Sequence, residues 1–223
     1  PFITAFHSLR PDDTEMKIAI SCKYFSPRGG AQTFLFHFAQ SLLDAGHRVK
    51  VYALEIEADT EGIEVERLRL PAVPRAFHDL AYACASREAL DASDADVTFG
   101  EQKSWGAAVV RPGGGVHLEY LQQVIKSYPL TAERLMKSAT KRYSPKELLS
   151  LFIERRLYGA PDLRRVIANS KMVRRHLAEY YPELGDRVKL VYNGVDCRHF
   201  SPRLRDEWRD RVRNELDIPR EAL

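Results

Sequence analysis

Short apolar runs alternate along this chain with longer stretches in which apolar residues return every three or four positions. Residues 18–22 and 49–54 are apolar runs. Between them Phe34, Leu35, Phe38, Ala39, Leu42 and Leu43 share one face of a helix predicted over residues 31–45. Gly46 marks its carboxyl-terminal stop. Two strands joined through a packed helix run parallel, with a right-handed crossover in nearly all cases, so the chain opens on such a unit. Further strands are expected at residues 63–70, 96–100, 107–111, 165–168 and 188–192, mostly as short apolar runs suited to a sheet covered on both faces.

Helix signals separate these strands. Ser144-Pro145-Lys146-Glu147 reads as a capping box with proline at the first helical position, which predicts a helix over residues 145–158. A second helix starts at Ser170, runs through Tyr181 and is ended by Pro182. The fold class that follows is α/β: a Rossmann-like, doubly wound, mostly parallel sheet. No internal repeat or low-complexity tract interrupts it.

The glycine and polar clusters all fall after strands. SPRGGAQ follows the first, GEQKSWG the fourth, RPGGGVHLEY the fifth, NSK the sixth and NGVD the seventh. In a parallel sheet all five share the carboxyl edge, where open α/β sheets bind ligands. The candidate binding residues are therefore Gly29, Gly30 and Gln32, then Glu101 and Lys103, then Gly113, Gly114 and Gly115, then Ser170 and Lys171, and finally Asn193 and Gly194. His117, two residues beyond the glycine triplet, is the candidate catalytic residue.

Each cluster also has a plainer account. Gly29-Gly30 lacks both GxGxxG spacing and a P-loop lysine, so it is either a tight turn or a loop that admits a phosphate. The triplet calls for a close approach or a positive φ, because three glycines lose much backbone freedom on ordering. His117 is either a ligand contact or a loop histidine satisfied by carbonyls. Glu101 and Lys103 are a ligand-facing pair or a solvated one, and Lys171 with Arg174 meets a phosphate or water. No metal-ligand spacing and no GxSxG elbow is present, and no metal or cofactor is expected.

Charge changes the picture in one place. The chain carries a formal +3, yet residues 121–180 hold thirteen Lys and Arg against five Asp and Glu. This block suits an anionic membrane surface or another polyanion, or is a solvated face of basic helices. Composition is that of a soluble globular protein, at 44% hydrophobic and 29% charged residues. No apolar run approaches the roughly 18 residues that cross a bilayer, which places the expectation in the cytoplasm. Cys22, Cys84 and Cys197 have no disulfide or CxxC spacing and are expected as buried free thiols.

Three stretches carry a family resemblance: MKIAISCKYFSPRGGAQTFLFHFAQSLLDAGHRVKVYAL, RPGGGVHLEYL, and RRVIANSKMVRRHLAEYYPELGDRVKLVYNGVDCRHFSP. Together they resemble the amino-terminal domain of a family 4 glycosyltransferase, close to the lipopolysaccharide-core glucosyltransferases. The resemblance implies the amino-terminal half of a GT-B enzyme, metal-independent, transferring a sugar with retention from a nucleotide-sugar donor to a lipid-linked or envelope glycan acceptor. Gly29 and Gly30 would approach the donor, and His117 would lie near the transferred sugar or the acceptor. Asn193 to Asp196 would mark the approach to the hinge. Where relatives carry an acidic residue before the triplet, this chain has Ala107-Ala108.

Residues 1–15 are expected to lie outside the fold, because MKIAIS from Met16 looks like a start. Residues 16–202 are expected to form the domain and 203–223 an interdomain helix or linker, with Leu204, Trp208, Val212 and Leu216 four apart; the donor domain and Glu-x7-Glu motif that the resemblance implies are expected to lie outside these residues. Two other readings stand beside this one. A non-catalytic module could dock on anionic lipid through the basic helices. A dinucleotide-binding domain is disfavoured by the glycine spacing and by the lack of an acidic ribose ligand after the second strand beyond Glu55 or Glu57. A nucleic acid partner is not expected.

Overall fold

The computed structural model describes residues 15–57, 62–101, 103–128, 144–194, 197, 201–219 and 222. It contains strands β1 (Lys17–Phe25), β2 (Arg48–Ile56), β3 (Glu64–Arg67), β4 (Val97–Glu101), β5 (Val109–Arg111), β6 (Arg165–Ala168) and β7 (Val188–Leu190). The helices are α1 (Gly30–Asp44), α2 (His78–Asp91), α3 (His117–Lys126), α4 (Pro145–Tyr158), α5 (Lys171–Tyr180) and α6 (Arg203–Glu215). All strands belong to one sheet of order β3-β2-β1-β4-β5-β6-β7, and every pairing is parallel. The expected Rossmann-like architecture is present.

Strand periodicity splits the core in two. Ile18, Ile20 and Cys22 of β1, with Val49, Val51 and Ala53 of β2, meet Leu35, Ala39 and Leu42 of α1 on one face. Ala19, Tyr52, Val110, Val166 and Ala168 turn to the other face and pack against residues of α2, α4 and α5. Each such buried aliphatic side chain contributes about 1.5–3 kcal/mol relative to exposure, so the helices are held on by the sheet rather than by propensity. Gly46 ends α1 at φ 81, with its N–H on the Leu43 carbonyl and the His47 N–H on the Leu42 carbonyl.

The residues separate into two units, 13–192 and a second comprising 1–12 with 193–223. The segment expected as a leader lies outside the described residues apart from Glu15, as do Val195 and Asp196. In the second unit Leu204, Trp208, Val212 and Leu216 of α6 and its end are all exposed. No helix among the described residues is long and apolar enough to cross a membrane.

The thiol expectation needs correcting, because only Cys22 is buried while Cys84 and Cys197 are exposed. Cys22 lies on a central strand covered from both sides. Cys84 falls off the α2 stripe formed by Ala81, Tyr82, Ser86 and Leu90, where helical periodicity turns it to water.

Gly100 has no unusual φ, but a Cβ there would stand 2.6 Å from the Ser104 Cβ and 2.8 Å from the Ala107 Cβ. Gly100→Ala is therefore expected to destabilise the protein by about 1–3 kcal/mol through overpacking. Thermal unfolding followed by circular dichroism should show Tm lowered by a few degrees; an unchanged Tm contradicts the close packing.

Candidate active site

The strand order reverses between β1 and β4, and their carboxyl ends open a cleft of about 180 Å³. Gln32 from α1, Glu101 and Lys103 after β4, and Gly113 and Gly114 after β5 line it with Lys23 and Tyr24 of β1. Five of the sequence candidates from three separate loops thus meet in one place. Parallel pairing is what brings them there.

Lysine charge gathers around one carboxylate. Asp79, in the first turn of α2, accepts from the Nζ of both Lys23 and Lys103. Burial by itself would push the Asp79 carboxyl up; hydrogen bonds from Lys103 and Lys23 and their charges outweigh it and hold the group down at about 2. Lys103 also donates to Ser150 Oγ at 3.2 Å, and its backbone sits at φ 69. A left-handed residue with a side chain costs about 1 kcal/mol or more, so the Asp79 and Ser150 anchors hold Lys103 in a conformation it would otherwise leave.

Arg111, at the end of β5, is 3% exposed. Its guanidinium lies 3.7 Å from the centre of the Phe34 ring, with Nη1 3.5 Å from Glu101 Oε1. Burial raises the Glu101 pKa against the pull of Arg111, and burial lowers that of Arg111 against the pull of Glu101. Around the cleft, three cationic side chains face two carboxylates.

The glycines divide by cause. A Cβ on Gly113 would come within 3.0 Å of Arg111 Nη1, and Gly115 has φ 77, so these two satisfy the chain's own geometry. Asn169 Nδ2 donates to the Gly113 carbonyl at 3.3 Å and ties the triplet to the end of β6. Gly29, at φ 94, is the N-cap of α1 and provides no side-chain cap, and the first turn holds no acidic residue. Gly30 differs from all of these. Its φ is ordinary and a Cβ there would meet nothing within 4 Å, so its bareness serves no contact inside the chain.

His117 begins α3 and is held by α4. Its backbone N–H donates to Glu154 Oε2 at 2.9 Å, and its Nε2 lies 2.7 Å from Glu147 Oε2. Glu154 also accepts from the Tyr181 hydroxyl at 2.8 Å; burial raises its pKa although both hydrogen bonds oppose the shift. The capping-box expectation is corrected here: Ser144 is the N-cap but makes no side-chain cap bond, and Glu147 reaches His117. Glu147 sits on the buried face of α4, so its carboxylate meets a ring nitrogen in the interior.

The other candidates lie elsewhere. Ser170 Oγ accepts from the Val173 N–H at 3.2 Å and caps α5. Lys171 joins Arg174 and Arg175 in a second cleft of about 410 Å³ between α5 and the turn Pro182–Arg187. Asn193 and Gly194 are exposed residues of the second unit. Lys23, Asp79, Arg111, Ser150 and Glu154 escaped the sequence reading. Its one available signal was the spacing of Glu147, Ser150 and Glu154 on a single face of an otherwise apolar helix stripe.

The model of the family described as Glycosyltransferase Family 4 matches residues 28–199. The chain belongs to glycosyltransferase family 4. A probable transglycosylase of Burkholderia thailandensis is 25% identical over 190 residues, covering 84% of this chain and 47% of that protein. Among solved structures, WaaG, a glycosyltransferase involved in lipopolysaccharide biosynthesis, superposes with TM-score 0.68 at 16% identity over 92% of this chain and 52% of its own. A glycosyltransferase from Rickettsia africae ESF-5 gives TM-score 0.54 at 18% identity, over 93% and 51%. These similarities establish the GT-B type of Rossmann-like fold for this family 4 chain, which spans about half the length of the relatives it matches.

Asp79 makes a pH prediction. Its folded pKa is depressed below the ordinary carboxylate value near 4, so its stabilisation is present above about pH 4 and is lost as pH falls toward 2. Urea midpoints should fall over that window in the wild type and less steeply in Asp79→Asn. Parallel curves for the two proteins contradict the lysine bridge.

Proposed function

We propose that this chain is the acceptor-side half of a retaining glycosyltransferase, hexosyl- or heptosyl-transferring, that uses a nucleotide-sugar and acts on a cell-envelope glycan of the lipopolysaccharide-core kind. The observation that supports this best is Gly30. An uncapped, acid-free helix N-terminus, bare for no internal reason, opens beside a cleft bearing Lys23 and Lys103. Such an end presents unpaired N–H donors and a partial positive charge to an anion, here the donor diphosphate.

Roles for the chain's own residues follow. Gly29 and Gly30 let the diphosphate approach the backbone. Lys23 and Lys103 offset its charge as it departs, in keeping with the metal-independent transfer expected from the family resemblance. His117 contacts the transferred sugar or the acceptor hydroxyl. The donor contacts of a second domain are needed to complete the transition state, so the 223-residue chain by itself is inactive.

The second cleft favours one other reading. Lys171, Arg174 and Arg175 line it together, which suits docking on an anionic lipid or another polyanion by a non-catalytic module. In the transferase reading the same cations would serve a phosphorylated, lipid-linked acceptor at the inner face of the cytoplasmic membrane.

The test is sugar transfer by a protein extended through the second domain, against a panel of nucleotide-sugars, beside the 223-residue chain. Transfer by the long protein and none by the short is expected. Gly30→Val should leave Tm unchanged or slightly raised, since nothing surrounds its side chain, while cutting kcat/KM for the donor roughly tenfold or more. Full donor use by Gly30→Val reduces this loop to a turn. Salt-sensitive liposome binding that survives Gly30→Val and His117→Ala, with no transfer by any protein, favours the docking module.

A further inference from the structure

We propose that Glu147 is a positioning residue that fixes the imidazole of His117, directing the ring's Nδ1 at the ligand as a hydrogen-bond acceptor. The transferase reading enters only in the identity of that ligand group, a sugar hydroxyl. The geometry of α4 carries the rest.

His117 is gripped at two points about two helical turns apart on α4. Glu154 takes the backbone N–H and Glu147 stands 2.7 Å from Nε2. An ionised carboxylate has lone pairs and no proton, so Nε2 must be the donor in this contact. In the neutral ring the other nitrogen then holds a lone pair. Nδ1 has no hydrogen-bond partner among the described residues, and the side chain keeps 19% of its surface exposed. The ring cannot turn over without breaking a short, charge-assisted bond, and the half-exposed Tyr120 ring, 5.8 Å away between centroids, flanks it. Gly113 and Gly114 line the cleft and His117 follows Gly115 by two residues, so the helix that His117 begins leaves from the loop that forms one wall of the cleft.

The consequence is directional. A side chain free to rotate could donate to a sugar oxygen or accept from a hydroxyl. Held this way, the neutral ring accepts, and it aligns the hydroxyl that donates to it. Glu147 takes one ring nitrogen, and the other is left for a ligand or water.

Nitrogen-15 NMR of the histidine-labelled chain in mildly alkaline buffer tests the arrangement without reference to activity. The expected wild-type spectrum shows His117 with a protonated Nε2, a slowly exchanging ring proton and an unprotonated Nδ1. Glu147→Ala should lose the slow exchange and mix tautomers, whereas Glu147→Gln should retain both features because the amide oxygen still accepts. In the extended protein, Glu147→Ala should lower kcat about tenfold with little change in donor KM, and Glu147→Gln should recover most of it.

An unprotonated Nε2 or an unprotected ring proton in the wild type overturns the proposal, and so does a Glu147→Gln protein as impaired as Glu147→Ala. The wild-type spectrum decides even if Glu147→Ala fails to fold. A fixed imidazole in a protein that transfers no sugar leaves the positioning intact and removes the transferase reading.

Discussion

The parallel pairing of β1 with β4, Ile18 to Val97 through Ser21 to Gly100, is the constraint on which the site depends. To one side of it the strand order runs back through β2 and β3, and to the other it runs on through β5, β6 and β7. Helices leaving the two strands diverge, which leaves the carboxyl edge open between them. The junction is sealed from below by polar atoms. Ser21 Oγ lies 3.1 Å and Ser104 Oγ 2.8 Å from the Tyr82 hydroxyl, so strand, loop and α2 share one buried network with its groups paired. Gly100 lets that loop close tightly over the strand.

On this floor, α4 organises the working side chains. Ile153, Leu157 and Tyr158 belong to the core beneath it, and the same buried face carries Glu147, Ser150 and Glu154. Two of these hold His117 and the third steadies Lys103. A helix packed as part of the core is a rigid mount, so the residues it holds inherit its precision. Burial of Glu154 opposes its ionisation, and the His117 N–H and the Tyr181 hydroxyl offset that cost with two hydrogen bonds.

Charge at the cleft is arranged rather than merely accumulated. Asp79 collects the ammonium groups of Lys23 and Lys103, from two different stretches of chain, at one point. Without it the lysines would repel each other and disperse into water. The basic block from 121 to 180, which dominated the charge pattern, contributes instead to the separate cleft on α5. Local charge density along the sequence therefore pointed away from the cations that line the switch-point cleft.

All seven strands, the long helices α1, α4 and α5, and the common edge for the glycine loops were readable from sequence, because hydrophobic period and turn residues are local quantities. So was the family, since SPRGG, PGGGVH and NGVD keep their order along the chain. Other features came only from the folded chain. Glu147 looks like a capping residue until α3 is brought beside it, and Arg111 looks like a strand end until Phe34 and Glu101 arrive around it. Asp79 is 56 residues from Lys23 and 24 from Lys103. The sequence by itself determined which segments are strands and helices and where the flexible backbone lies. Tertiary structure alone decided which charges meet, which nitrogen of His117 is left over, and that Gly30 is bare for no internal reason, because each depends on atoms brought together across long chain separations.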